Sequence, residues 1–185
     1  MSRAYDVVVL AGGAGSRLGG VDKPGLDIGG RSSLDRVLDA VPGAGRVVVV
    51  GPERATARPV TWCREDPPGS GPLAALRTAL PLVSADVVVL LAADLPLLDA
   101  GTVDRLVATA PAGGAALLVD DGGHEQYLLG AYDRAALVAA VAEVDPHRGI
   151  KHVVARLTVV PVADQAGAAV DVDTWDDVEA VRRRL

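Results

Sequence analysis

The sequence predicts an α/β fold in which a mostly parallel β-sheet lies between two layers of helices, a three-layer α/β/α sandwich. Short β-branched segments alternate along the chain with longer helical patterns, which is typical of βαβ units. The segments 47–50 and 87–91 are apolar at every position, as expected of strands that helices cover on both faces. The 185 residues suit one core, and no repeat or linker divides them, so one domain spanning 1–185 is expected.

Each element has its own signal in the pattern. Strands are predicted where apolar and β-branched residues cluster, at 6–10, 46–50, 60–64, 86–91, 115–119, 127–132 and 157–162. Helices are predicted at 33–40, 72–82, 101–109, 135–143, 149–155 and 175–184. Thr174 is a good N-cap for the last helix, because Asp176 and Asp177 follow it in the first turn.

Composition excludes several classes of partner. The net charge of -6 and the scarcity of aromatic residues, with two Trp, three Tyr and no Phe, argue against nucleic-acid binding. The longest apolar stretch, 80–98, contains Asp86 and Asp94 and cannot be a membrane span. The single cysteine, Cys63, fits a reducing compartment. We therefore expect a cytoplasmic protein without a nucleic-acid or membrane partner.

A glycine-rich segment follows the first strand directly. It reads Leu10-Ala11-Gly12-Gly13-Ala14-Gly15-Ser16-Arg17-Leu18-Gly19-Gly20-Val21-Asp22-Lys23-Pro24. Glycines let backbone N–H groups approach an anion closely, because no side chain lies in the way. Arg17 can bind phosphate oxygens with both arms of its guanidinium group, and Lys23 supplies a compact positive charge. The segment predicts a loop that binds the phosphates of a nucleotide.

The spacing excludes two better-known phosphate loops. A P-loop ends in Gly-Lys-Ser/Thr, whereas Lys23 lies between Asp22 and Pro24. A dinucleotide fingerprint fails because Leu18 stands where its third glycine is needed. Only two of the 18 lysines and arginines are lysines, Lys23 and Lys151. A lysine in this loop, in a chain so biased toward arginine, indicates that an ammonium group is wanted there.

This segment resembles the signature of the nucleotidyltransferase superfamily that includes the sugar-nucleotide pyrophosphorylases. Within it, 17–23 is most similar to the molybdenum cofactor guanylyltransferase branch. The resemblance implies a Rossmann-like sheet of the nucleotide-diphospho-sugar transferase type, and it implies Arg17, Lys23 and Asp94 as catalytic residues. It also implies a set of nucleotide-binding residues, namely Leu10, Ala11, Gly12, Gly13, Gly15, Lys23, Asp66, Gly71 and Asp94.

Asp94 is the first candidate ligand for the Mg²⁺ that nucleotidyl transfer requires, since Mg²⁺ takes one or two carboxylates together with substrate phosphates. It closes an apolar strand and stands two residues before Pro96, which leads the chain out of the sheet. An aspartate in this place either caps a turn or binds a ligand, and the resemblance implies the metal ligand.

A second carboxylate is expected from 171–177. This segment resembles the family's C-terminal element Asp/Asn-x-Asp/Asn-Thr-Pro-Glu-Asp, with Trp175 in place of the usual proline. Asp171 and Asp173 point to the same side of an extended segment. Asp173 is the predicted metal ligand; the alternatives are that Asp171 binds the metal, or that Asp173 only helps to cap the following helix.

Recognition of the base is predicted in 64–76, which resembles the family's Asp-x-x-x-x-Gly-Pro-Leu-Ala-Gly segment. The resemblance implies that Asp66 contacts the guanosine and that Gly71 begins the helix beneath it. An ordinary turn at 67–69, with Asp66 as its polar flank, is the alternative. The chain departs from the guanylyltransferases after the second strand, where 49–53 lacks their pocket asparagine. The identity of the base therefore stays open.

The second half of the chain is expected to bind the acceptor. Residues 122–132 resemble the family's Gln-Pro-Leu-x-x-x-Tyr strand, and His124 and Gln126 are the predicted contacts, although His124 can equally be an ordinary loop residue. The basic cluster 146–152 can either receive an anionic acceptor or be a solvated helix start.

The resulting hypothesis is transfer of GMP from GTP to the phosphate of molybdopterin, with Mg²⁺ as the cofactor and pyrophosphate as the by-product. The alternatives are a cytidylyltransferase for the same cofactor, a guanylyltransferase for another small phosphorylated acceptor, and a nucleotide-binding scaffold without activity. The sequence allows a monomer or a small homo-oligomer.

Overall fold

The apolar segments of the chain form the strands of one seven-stranded sheet in the computed structural model, which describes residues 3–12 and 21–185. The strands are β1 (Tyr5–Leu10), β2 (Val47–Val50), β3 (Thr61–Cys63), β4 (Val87–Ala92), β5 (Gly114–Val119), β6 (Glu125–Asp133) and β7 (Thr158–Ala163). Their order across the sheet is β3-β2-β1-β4-β6-β5-β7.

Neighbouring strands pair in parallel, except that β6 is antiparallel to both β4 and β5. Val7 of β1 pairs with Val47 of β2 on one side and with Val89 of β4 on the other. These three strands consist mostly of valine and leucine and form the centre of the sheet. The prediction of a mostly parallel sheet is confirmed.

The described part of the chain also contains six α-helices. They are α1 (Ser33–Asp39), α2 (Pro72–Ala79), α3 (Ala100–Thr109), α4 (Arg134–Glu143), α5 (Lys151–Val154) and α6 (Trp175–Arg182). Within residues 3–12 and 21–185, no helix has the length and apolar character needed to cross a membrane.

Helices cover both faces of the sheet, because successive side chains of a strand point to opposite faces. Val7 and Val89 belong to the core that packs against α1 and α3. Val8 and Leu90 belong to the core that packs against α2, α4 and α5. This arrangement confirms the predicted three-layer sandwich. The last helix, α6, has a small core of its own, in which Val178 and Val181 pack with Ile28.

The boundaries of several elements differ from the predicted ones. α2 ends at Ala79 and a 3-10 turn, Leu80–Leu82, replaces its expected last residues, because Pro81 has no backbone N–H for an α-helical hydrogen bond. α6 ends at Arg182 rather than at 184, and α5 covers only Lys151–Val154 of the predicted 149–155. β3 is shorter than predicted, with its three residues at the edge of the sheet.

Asp6 is a buried carboxylate in the second position of β1, with 3% of its surface exposed. Its Oδ1 accepts a hydrogen bond from the backbone N–H of Arg46 at 2.8 Å. Its Oδ2 accepts from the N–H groups of Ser84 at 2.7 Å and Ala85 at 2.9 Å. Burial alone raises the pKa of Asp6, but these donors outweigh it and leave the pKa below its ordinary value. One carboxylate thus joins the starts of three adjacent strands.

Candidate active site

A cavity of about 470 Å³ opens at the carboxyl ends of β1, β2 and β4. Its wall is formed by Leu10, Gly12, Lys23, Pro24, Val50, Glu65, Gly69, Gly71, Pro72, Ala75, Ala92, Ala93, Asp94 and Leu128. In open α/β sheets, ligands bind outside the carboxyl ends of the strands, where neighbouring connections run in opposite directions. Here the chain leaves β1 toward β2 on one side and later returns to β4 on the other, so the cavity lies at such a point.

Lys23 reaches into this cavity from a short 3-10 turn, Lys23–Gly25, that follows the glycine-rich segment. Pro24 is buried and fits the first turn of this helix because it needs no backbone N–H there. Lys23 Nζ donates a hydrogen bond to Asp173 Oδ1 and lies 3.9 Å from Asp94 Oδ2. The side chain of Lys23 is 17% exposed. The structure therefore brings together three residues that the sequence analysis selected from distant parts of the chain.

Asp94 stands two residues beyond the end of β4, and its side chain is 27% exposed. Burial raises the pKa of Asp94; Lys23 opposes this effect, and the negative charges of Asp171 and Asp173 add to it. Asp94 and Asp173 both contact Lys23, so the two carboxylates share one cation in this structure.

Asp173 is positioned by the start of α6. Thr174 accepts a hydrogen bond from Asp177 N at 3.2 Å, and Asp177 Oδ2 accepts from the N–H groups of Asp173 and Thr174. This reciprocal capping box fixes the backbone of Asp173, and Thr174 is the predicted N-cap. The hydrogen bonds from Thr174 lower the pKa of Asp177, so its carboxylate stays charged. Capping is done by Thr174 and Asp177, which leaves the Asp173 side chain to contact Lys23.

Asp94 and Asp173 fit a magnesium ion, since their oxygens already share one cation and carboxylate oxygens are the ligands that Mg²⁺ prefers in proteins. No group of three or more His, Cys, Asp or Glu residues able to hold a metal occurs within the described ranges. A metal at this pair would therefore take its other ligands from substrate phosphates and water, as Mg²⁺ does in many nucleotide sites.

Arg54 supports the segment that carries Lys23, and the sequence analysis did not find it. Arg54 Nη2 donates a hydrogen bond to Asp22 Oδ1 at 2.8 Å, and the guanidinium group lies 5.9 Å from the centre of the Trp62 ring. The Arg54 side chain is 15% exposed. It ties the residue before Lys23 to the connection between β2 and β3, where the pocket asparagine of the guanylyltransferases is missing. A lone arginine in a loop carries no signal in the sequence.

Glu65 lies on the wall of the cavity, whereas the predicted Asp66 is exposed and does not line it. Glu65 is 9% exposed. Gly69 N donates a hydrogen bond to Glu65 Oε1 at 2.9 Å, which holds the carboxylate inside the turn. Glu65 was not predicted, because the family pattern points to its neighbour Asp66 and only burial distinguishes the two adjacent carboxylates.

Two glycines allow backbone segments to meet at the cavity. Gly51 follows β2 with φ 151°, and a Cβ atom there would lie 2.7 Å from the carbonyl oxygen of Ala11. Gly71 has φ 94° and precedes Pro72, the first residue of α2. Both positions need glycine, the first for close contact and the second for its left-handed conformation.

The other predicted nucleotide-binding residues divide into two groups. Leu10, Gly12 and Gly71 line the cavity, and Ala11 is buried behind them, with its N–H bound to Val50 O at 2.8 Å. Arg17, Gly13 and Gly15 lie outside the described residues.

The predicted acceptor residues lie on the hairpin between β5 and β6 and not on the wall of the cavity. Asp120 holds both of them: its Oδ1 is 3.3 Å from His124 Nδ1, and its Oδ2 accepts a hydrogen bond from Gln126 Nε2 at 2.9 Å. Leu128, two residues further along β6 than Gln126, does line the cavity. The hairpin therefore leads to the site, and the acceptor role of His124 and Gln126 stays a prediction.

Cys63 is not suited to nucleophilic chemistry. Burial raises the pKa of its thiol, and the negative charge of Glu65 raises it further. The thiol therefore remains protonated at neutral pH, and a protonated thiol is a poor nucleophile.

The comparison with known families decides the class of the protein. The family model described as MobA-like NTP transferase domain matches residues 7–162 of the chain. The chain belongs to this family. It is therefore a nucleotidyltransferase, and the predicted resemblance is confirmed.

Known relatives of this MobA-like protein agree with that assignment. A protein from Shewanella amazonensis named molybdenum cofactor guanylyltransferase is 29% identical over 194 aligned positions, which cover 100% of this chain and 99% of the relative. A nucleotidyl transferase from Methanothermobacter thermautotroptrophicus has a similar structure, with a TM-score of 0.83 at 19% identity, covering 98% of this chain and 97% of that one.

A second solved structure is titled molybdopterin-guanine dinucleotide biosynthesis protein A from Archaeoglobus fulgidus. It matches with a TM-score of 0.74 at 20% identity and covers 97% of both chains. At these identities the two solved structures show that the chain has the fold of the nucleotidyltransferases, as predicted.

Proposed function

We propose that the protein transfers GMP from GTP to the phosphate of molybdopterin and releases pyrophosphate. The observation that carries this proposal is the meeting of Lys23, Asp94 and Asp173 at the cavity beyond the carboxyl ends of the central strands. That arrangement, in a member of this family, suits the polyphosphate chain of a nucleotide. The name of the relative from Shewanella amazonensis supports GTP and molybdopterin as the substrates.

In this proposal one domain, 1–185, has two functional halves. The first half holds GTP: backbone N–H groups of 12–15 surround the phosphates, and Arg17 and Lys23 neutralise their charge. The second half receives the acceptor along β6, with His124 and Gln126 as its polar contacts. The protein works in the cytoplasm as a monomer or a small homo-oligomer, without a nucleic-acid or membrane partner.

Asp94 and Asp173 would hold Mg²⁺ in the proposed enzyme. Bound there, the metal would supply positive charge to the phosphates at which negative charge develops. Asp94 follows the end of β4 and Asp173 precedes the N-cap of α6, so each carboxylate is positioned by a neighbouring element. With a metal at these carboxylates, Lys23 would be placed to contact a phosphate oxygen, because it lies beside both of them.

The reaction makes few covalent demands on the protein. An oxygen of the acceptor phosphate attacks the α-phosphorus of GTP, the bond from that phosphorus to the bridging oxygen breaks, and its electron pair leaves with pyrophosphate. Both reactants are anions, so the residues contribute by bringing them together and neutralising charge. The ammonium group of Lys23 and the guanidinium group of Arg17 do this in our proposal.

Pyrophosphate release tests the proposal directly. The purified protein is incubated with Mg²⁺, each of the four ribonucleoside triphosphates and a panel of phosphorylated acceptors that includes molybdopterin. We expect release with GTP and molybdopterin, and none when Mg²⁺ is removed by a chelator. Release with CTP instead of GTP would show that the protein is a cytidylyltransferase. Release with another acceptor would show that molybdopterin is not the acceptor. Binding of GTP without release with any acceptor would support the scaffold alternative.

A further inference from the structure

A buried carboxylate, Glu65, lines the same cavity as Lys23. It stands two residues beyond the end of β3, and Asp94 stands two residues beyond the end of β4. β3 and β4 are three strand spacings apart in the sheet, which is roughly 14 Å. Glu65 is 9% exposed, and its neighbours Arg64 and Asp66 are exposed. The backbones of Glu65 and Asp94 therefore follow different strands, and Lys23 is beside Asp94.

Hydrogen bonding fixes the direction of this carboxylate. Gly69 N donates to Oε1 at 2.9 Å, and no described residue donates to Oε2. A Cβ atom on Gly12 would lie 4.0 Å from Oε1, so the carboxylate also faces the backbone at the start of the glycine-rich loop. Glu65 lines the cavity, so its Oε2 is available to hydrogen-bond donors that a ligand supplies.

Charge decides which part of a nucleotide Glu65 meets. An ionised carboxylate repels phosphate groups, so the triphosphate must lie toward Lys23 and the uncharged base toward Glu65. The walls between these ends include apolar side chains of Leu10, Val50 and Ala75, which suit the face of a base.

We propose that Glu65 selects guanine by accepting hydrogen bonds from its N1–H and 2-amino groups. This proposal rests on the proposed function and names the residue that sets its choice of base. A carboxylate only accepts hydrogen bonds, and guanine alone offers two adjacent donors on its Watson–Crick edge. Cytosine, adenine and uracil each place acceptors against it. Glu65 thereby takes the role that the family pattern assigned to Asp66.

Nucleotide binding without an acceptor tests this assignment, with GTP, ITP, XTP and CTP titrated by calorimetry into the wild type and Glu65→Gln. The wild type should bind GTP at least about tenfold more tightly than ITP, which lacks the 2-amino donor. Glu65→Gln should weaken GTP binding by about 10- to 100-fold and strengthen XTP binding, because the glutamine amide can donate to the 2-carbonyl of xanthine. A variant that gains XTP is folded.

Two further variants separate Glu65 from a general charge effect. Glu53→Gln removes one negative charge from an exposed position outside the cavity and should leave the order of the four affinities unchanged. Asp66→Asn should also leave the order of the four affinities unchanged if Glu65 selects the base.

Three results would overturn the assignment. If Glu65→Gln keeps the wild-type preference for GTP, Glu65 does not select the base, while the proposed function stands. If the gain of XTP follows Asp66→Asn, the neighbouring residue does so. If the wild type binds CTP more tightly than GTP, the role of Glu65 and the choice of GTP in the proposed function are both wrong. The assignment as a nucleotidyltransferase is not affected by that result.

Discussion

Lys23 shows how far single residues could be predicted. A chain that uses arginine almost everywhere places a lysine at the end of a glycine-rich loop, and that lysine contacts two aspartates from distant parts of the chain. An ammonium group is compact, so one lysine can serve both carboxylates and later a phosphate oxygen. The type and position of this residue could be predicted from the sequence. Its contacts with Asp94 and Asp173 could not, because they depend on the fold.

Replacing Lys23 by Ala tests its proposed role. We expect turnover to fall by roughly 10²- to 10³-fold, since one charge that stabilises the transferring phosphates is lost. Thermal unfolding should change little, because the side chain contacts carboxylates at the mouth of the cavity and not the core. Arg183→Ala removes a positive charge at an exposed position outside the candidate site and is the matched control. Near-normal turnover of Lys23→Ala would refute the role.

The two candidate carboxylates of the C-terminal element can be separated by their need for metal. Asp173 contacts Lys23, so Asp173→Asn should raise the Mg²⁺ concentration for half-maximal activity at least about tenfold. Asp171→Asn should leave that concentration within about threefold of the wild-type value, and Asp94→Asn should abolish activity at all Mg²⁺ concentrations tested. A larger effect of Asp171→Asn than of Asp173→Asn would reverse the assignment of the second ligand.

Glu65, Asp66 and Arg54 mark the limit of residue-level prediction. Glu65 and Asp66 are adjacent carboxylates, and the sequence contains nothing that says which one the turn buries. Arg54 acts through Asp22, 32 residues away, and such a contact depends on how two loops meet. The sequence therefore predicts that a carboxylate lies at this turn, but it does not predict which of the two adjacent residues lines the cavity.

At the scale of elements, local chemistry explains most of what the sequence predicted. The Thr174 cap, the apolar strand segments and the helix start at Pro72 all follow from interactions within a few residues. The misplaced ends follow from local chemistry as well: Pro81 converts the end of α2 into a 3-10 turn. The antiparallel direction of β6 was not predicted, because it depends on which strands become its neighbours.

Asp6 joins β1 to the starts of two neighbouring strands, and Asp6→Asn tests how much that contributes. The amide keeps one acceptor but sets an NH₂ group against backbone donors, so the free energy of unfolding at pH 7 should fall by about 2 kcal/mol. Chemical denaturation at several pH values measures this.

The pH dependence of the same variant has a defined sign. Because the pKa of Asp6 lies below its ordinary value of 3.8 in the folded protein, its stabilisation is full above about pH 4 and is lost as the pH falls through the folded value. The difference between wild type and Asp6→Asn should therefore narrow below pH 4. Asp121→Asn, at an exposed position, is the control and should match the wild type. A constant difference down to pH 2 would contradict this account.

At the scale of the whole molecule, the topology brings the site together. Residues from 10 to 128 line one cavity because three parallel strands end at the same edge of the sheet. Asp173, just before α6, also reaches that edge, where it contacts Lys23. The alternation of strands and helices predicted this layered fold and the edge of the sheet at which the cavity lies. The strand order and the position of Glu65 on the cavity wall came only from the structure, because both depend on long-range packing.

The central claim is that the GMP unit of GTP moves to molybdopterin, and labelled GTP tests it most directly. GTP carrying radioactive phosphorus in the α or the γ position is incubated with molybdopterin, Mg²⁺ and the protein, and products are separated by chromatography. We expect the α label in the pterin product and the γ label in pyrophosphate. A γ label in the pterin product, or an α label that stays in free GMP or GTP, would contradict it.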